Sequence, residues 1–175
     1  MKKAVLVLAV ALLAVAMLAT PMVACAKPVV WSVDFSLETY PDLAGDWSKF
    51  KEFTTNNGLI VVDHIPTVGT VTLVHDGNTM TGVATQMVLN SKLFSFDPQR
   101  VMGNEKWVFT FAEGTLEISA NFWIDGDRSG GTCVGTFGTG IFEGAIFKGT
   151  FDTTMVSLGG AILKDQSGSG EIKFP

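Results

Sequence analysis

Few residues in this 175-residue chain have types and spacing that could do chemistry. "DGDRSGG" at 125–131 places Asp125, Asp127 and Ser129 at alternate positions ahead of Gly130. Alternating oxygen ligands before a sharp turn is what a calcium loop needs. The twelfth position of such a loop is Thr136 rather than a bidentate glutamate, and no helical pattern flanks it. The stretch is therefore read as a hairpin turn, with a calcium loop as the alternative. His64 and His75, the two histidines, each adjoin an aspartate, Asp63 and Asp76. Paired strands could bring these four together as a metal or acid–base cluster; solvated strand ends account for them equally well. Glu113 and Glu117 could form a carboxylate pair if the turn between them preserves register. Cys133, in "GTCVG", reads as a core thiol. No nucleophile elbow accompanies any serine. No catalytic residue and no cofactor is expected.

The elements that must position these residues are strands. "VVWSVDFSLE" alternates Trp31, Val33, Phe35 and Leu37 with Ser32, Asp34, Ser36 and Glu38, the period of a half-buried strand. Leu116, Ile118, Ala120, Phe122 and Ile124 repeat the pattern further on. Hairpin turns are expected at Asn57-Gly58, at Asp76-Gly77-Asn78 and around Glu113-Gly114. "NSKLFSFDPQRVMGNE" reads as a long connection with one edge strand, and "SLGGAILKDQSG" as a loose crossover before a last strand, "SGEIKF". Short strands joined by Gly, Asn and Asp turns predict an all-β fold. "GTGIFEGAIFKGTF", residues 138–151, decides between sandwich and barrel. Glycines in strands permit the corners that closure needs, so Gly138, Gly140 and Gly144 are assigned to turning and curving the chain. The expectation is a single small antiparallel β-barrel of about eight strands.

That stretch resembles the GxGxFEG strand-turn-strand of allene oxide cyclase-like and dirigent-like barrels, a calycin-type architecture. The resemblance covers residues 138–151 and implies the eight-stranded fold. It carries over no pocket residue.

Residues 1–26 are read as a signal segment and residues 27–175 as the barrel domain. Lys2 and Lys3 precede an uncharged apolar run, and Ala24-Cys25-Ala26 fits a small-x-small cleavage site. Two other readings stay open: lipidation of Cys25 at an imperfect lipobox, and an uncleaved membrane anchor. All three place the domain outside the cytoplasm and leave the membrane to the N-terminal segment. Without Lys2 and Lys3, 10 of the 12 basic residues remain against 17 acidic ones, a formal −7. That charge argues against a nucleic-acid surface. Thirteen phenylalanines and four tryptophans exceed what turns and surfaces use, and any surplus over core filling would line an apolar cavity. The functional expectation is an exported, non-enzymatic barrel that binds an apolar small molecule or serves as an envelope or surface interaction module. A cyclase or isomerase acting on an apolar substrate, and a purely structural cell-surface protein, are the alternatives. Oligomeric state is not legible.

Overall fold

The computed structural model describes residues 27–96, 99–158 and 161–175, and the side chains of all of these except 96, 155–158 and 161–163. Residues 1–26, the expected signal segment with Cys25, lie outside the described residues. Ten strands form one antiparallel sheet: β1 (Val30–Pro41), β2 (Lys51–Thr54), β3 (Ile60–Asp63), β4 (Ile65–His75), β5 (Asn78–Phe96), β6 (Gln99–Phe111), β7 (Gly114–Asp125), β8 (Arg128–Gly138), β9 (Ile146–Leu158) and β10 (Ala161–Lys173). Running β1-β4-β5-β6-β7-β8-β9-β10, the sheet returns to β1 and closes as an eight-stranded barrel. β2 and β3 lie outside the closed ring, with β3 paired to the far half of β5 at Ser91–Leu93.

Alternation sets the interior. Phe35, Leu73, Trp107, Phe109, Leu116, Phe147 and Ile172 point inward, each at most 3% exposed. Their rings touch: Trp107 lies 5.0 Å from Phe151 and 6.2 Å from Phe35, centroid to centroid. Aromatic edge-to-face contact at such distances adds about 0.5–1.5 kcal/mol per pair beyond area burial. The aromatic surplus is thus spent on itself in the lower barrel, the end carrying the N-terminus of β1. Small residues make the room. Gly131 faces inward opposite Phe151, whose ring occupies the place a side chain would take.

Three segments differ from expectation. Residues 138–151 do not form a simple hairpin. β8 ends at Gly138, a 3-10 turn follows at Gly140–Phe142, and β9 begins at Ile146. Phe142 is fully buried beneath Phe111, at 5.8 Å, and plugs the lower end of the barrel. Gly140 and Gly144 have φ of +61° and +73°, the left-handed region that glycine enters without strain. A Cβ at Gly138 would strike the Phe142 backbone. Second, the described residues of the expected long connection at 90–105 belong to β5 and β6. Third, the described residues of the expected crossover at 157–168 belong to β9 and β10, which pair from Ala161–Leu158 to Lys173–Ile146.

Candidate functional site

Above the aromatic core, the inward positions turn polar. Thr39 on β1, Thr67 on β4, Gln86 on β5 and Glu105 on β6 are buried there, facing Thr153 on β9 and Lys164 and Gln166 on β10. Each sits at the inward parity of its strand: Glu105 continues the series Trp107, Phe109, Phe111, and Gln166 lies opposite Leu37. Closure therefore lets side chains up to 80 positions apart in the chain hydrogen-bond directly.

Glu105 is the centre. Its Oε2 accepts from Gln86 Nε2 at 2.5 Å, Trp107 Nε1 at 2.8 Å and Gln166 Nε2 at 3.2 Å. Its Oε1 is ion-paired with Lys164 Nζ. Gln86 Oε1 accepts from the Thr39 and Thr67 hydroxyls at 2.9 and 2.8 Å. Gln166 accepts from Gln86 at 3.2 Å and gives its remaining amide proton to Thr153 Oγ1 at 3.2 Å. Both glutamine amides are fully used, so the network has one consistent orientation.

Lys164 is the exception. Its side chain is 7% exposed, and Nζ rests 4.0 Å above the Phe122 ring centroid. Among the described residues it meets one carboxylate oxygen and that ring, and no hydrogen-bond acceptor satisfies its other N–H groups. Burial pushes its ammonium well below the usual lysine range. An ammonium has three donors. Lys164 thus holds unused donor capacity inside the barrel.

The wall beside it is broken. β5 and β6 pair through Leu89–Asn104, then lose register until Lys92–Met102. Asn90 takes φ +49° at the break, and His64, between β3 and β4, takes φ +60°. Asp63 staples the two kinks: its Oδ1 accepts the Asn90 N–H at 2.9 Å, and its Oδ2 lies 2.9 Å from His64 Nδ1. Partial burial opposes ionisation, but the Asn90 N–H and the His64 ring outweigh it and hold Asp63 below the ordinary carboxylate value. Opposite the break stands Gly103, where a Cβ would lie 2.6 Å from the Phe122 ring. The resulting pocket, about 390 Å³, is lined by Asn90, Lys92, Asn104 and Asn121 together with Phe94, Met102 and Phe122. Phe94 and Met102 are each 54% exposed. Phe122, whose ring lies under Lys164 Nζ and packs on Gly103, is thus also among the residues that line the outer pocket.

Apart from Asp63 and His64, the residues singled out from sequence lie elsewhere. Asp125 pairs with Arg100 at 2.7 Å, Asp127 occupies the two-residue turn, and Ser129 Oγ accepts the Thr153 N–H at 2.9 Å. The three do not converge. His64 and His75 flank opposite ends of β4, so they do not meet. His75 stacks on Trp31 at 4.7 Å and bonds Ser32 O at 3.0 Å. Glu113 and Glu117 are both exposed. Cys133 is buried, and desolvation pushes its thiol up to about 12, against a smaller opposing effect of a Gly149 backbone hydrogen bond. Among the described residues no three His, Cys, Asp or Glu side chains are grouped to hold a metal ion. Sequence reasoning missed Glu105, Lys164, Gln86 and Gln166. The available signal was a charge in phase with Trp107, Phe109 and Phe111.

Fold and site together define a closed antiparallel β-barrel with a buried polar layer and a break in the pairing of its wall. No family profile, no curated protein and no solved structure matches the chain.

Proposed function

We propose that this barrel binds a small amphiphilic molecule, seating an oxygen-bearing head at Lys164 and Glu105 and its apolar body along Phe94 and Met102. The reading rests above all on Lys164: a buried ammonium with unused donors, one aromatic ring away from a solvent-facing pocket. Removing two charges from water is expensive, and a well-packed apolar pair in their place is often neutral or better for stability. A ligand head that accepts from Lys164 gives the pair a use that stability alone does not. The apolar rim supplies the complementary half, since ligand sites combine apolar walls with a few placed polar groups.

The same reading places the protein outside the cytoplasm, with residues 1–26 serving export. The order of charged residues, apolar run and small-residue site in that segment supports it. The test is calorimetric titration of the purified protein with decanol and with decane. Decanol should bind and decane should bind at least about tenfold more weakly, the equivalent of one lost hydrogen bond to a charged group. Equal affinity would remove the head site, and no binding of either would remove the reading.

A further inference from the structure

We infer that the ligand is a carbonyl compound with an apolar body, an aldehyde above all, and that Lys164 holds it covalently as an imine beside Glu105. The inference rests on the binding reading above and goes further by naming the head group and the bond. Three observations converge on it. Lys164 is the buried primary amine of the polar layer, and burial favours its neutral, nucleophilic form. A carboxylate lies in direct contact with that nitrogen, placed to move protons for it. The Phe122 ring against Nζ packs on Gly103, and both residues line the outer pocket, so a carbonyl entering at Gly103 meets that ring before Nζ.

The step balances without any other reagent. The Lys164 ammonium gives a proton to Glu105, and the freed lone pair attacks the carbonyl carbon. Glu105 protonates the resulting alkoxide, takes a proton back from nitrogen and delivers it to the hydroxyl, which leaves as water. The product is a protonated imine, C=N–H⁺, beside an ionised Glu105. Two protons leave nitrogen and depart in the water; the charge on each partner ends as it began. This conservation matters in a buried site. An acylation or a neutral imine would leave the Glu105 carboxylate unpaired, with the heavy penalty of a lone buried charge. The protonated imine does not. Gln86, Gln166 and Trp107 keep their bonds to Oε2 throughout.

The experiment incubates purified protein at neutral pH with decanal and cyanoborohydride, maps decyl adducts by peptide mass, and titrates decanol and decanoate in parallel. Each unit by which an amine's pKa falls raises its neutral fraction about tenfold. The adduct on Lys164 should therefore form at least about tenfold faster than on the exposed Lys51, Lys148 or Lys173. Lys164→Arg keeps the positive charge but cannot form an imine, so its decanal labelling should fall to that of the surface lysines. Glu105→Gln keeps the amine and should slow Lys164 labelling by about 10²-fold, the scale of a lost general base. Decyl groups confined to exposed lysines, with decanol still bound, overturn the imine and leave the binding reading intact. Decanoate bound more tightly than decanal, with no adduct, reassigns Lys164 to a carboxylate head and likewise overturns the imine. Failure of all three probes to bind overturns the binding reading itself.

Discussion

The Glu105–Lys164 pair allows the reading of the barrel interior to be tested quantitatively. Both side chains are at most 7% exposed, so neither charge is well solvated. Replacing one partner of a buried pair costs about 3–5 kcal/mol, because the other charge is left uncompensated. Lys164→Met should lie at the lower end, since Glu105 retains three donors on Oε2. Glu105→Gln should lie at the upper end, since among the described residues Lys164 then keeps only the Phe122 ring. The two losses sum to about 6–10 kcal/mol. The double variant Glu105→Gln, Lys164→Met carries no charge, and its amide oxygen can still accept from Trp107. Its remaining defect is an amide N–H facing an apolar methionine, about 1–3 kcal/mol. The cycle should then show at least about 3 kcal/mol of coupling, beyond the roughly 0.3–0.5 kcal/mol scatter of independent sites. Urea unfolding followed by tryptophan fluorescence measures it, with equal m-values required across the four proteins. Additive losses would mean that the two charges do not share a dry interior, and the site described above would fall with them.

Other expectations follow from the same geometry. The Cys133 thiol is raised from 9.0 to about 12 in the folded protein, so the unfolded chain releases its proton first and stability is lost as pH rises through that window. Between pH 7 and pH 10 the parent should lose about 1.4 kcal/mol more than Cys133→Ala, measured by urea midpoints at both values; equal losses would put the thiol in water. Gly140→Ala should destabilise by more than the roughly 1–2 kcal/mol of a left-handed residue, because its Cβ also meets the Glu113 carbonyl, whereas Gly144→Ala should stay within that range, its nearest neighbour being Pro175 at 3.4 Å. Thermal melts showing Gly144→Ala as the worse variant would mean the loop at 139–145 is misplaced. Asp63 is held below its ordinary value, so the stability it adds is present above about pH 4 and lost as pH falls further. Asp63→Asn should accordingly flatten the acid side of the stability profile, and an unchanged profile would remove the staple between the two kinks.

The barrel was legible because most of its strands obey one rule. β1 from Trp31 to Glu38 and β7 from Leu116 to Phe122 alternate apolar and polar residues, and the Asp76-Gly77 turn takes the positive φ values of a two-residue hairpin at both positions. The Phe142 plug was hidden by its own neighbours. "GIFEG" supplies strand-forming residues, and only the left-handed glycines on either side divert it into a turn. His64 and Asp63 were legible as a pair, but their work is to hold a kink rather than to do chemistry, because the partner that fixes Asp63 is the backbone of Asn90, 27 positions away.

The polar layer escaped for a reason that bears on where such sites are found. In β10 the inward series is Lys164, Gln166, Gly168, Gly170, Ile172, and the outward series is Asp165, Ser167, Ser169, Glu171. Both faces are polar or glycine nearly to the end, so the period of two that marks a half-buried strand is absent. The start of β6 behaves alike: Gly103 and Glu105 are inward, and the outward Met102 adds an apolar residue on the wrong face. These two segments were read as connections, and they supply Glu105, Lys164 and Gln166. The coincidence has a cause. A strand that turns charged or amide groups toward the axis loses its amphipathic signature at those positions, and the glycines beside them remove what apolar signal is left. In a closed barrel the remaining strands still force such a segment into the wall, since an open edge would leave its backbone groups unpaired. Hence a polar, glycine-bearing stretch too long for a turn, set between confident strands, is where interior chemistry should be sought first.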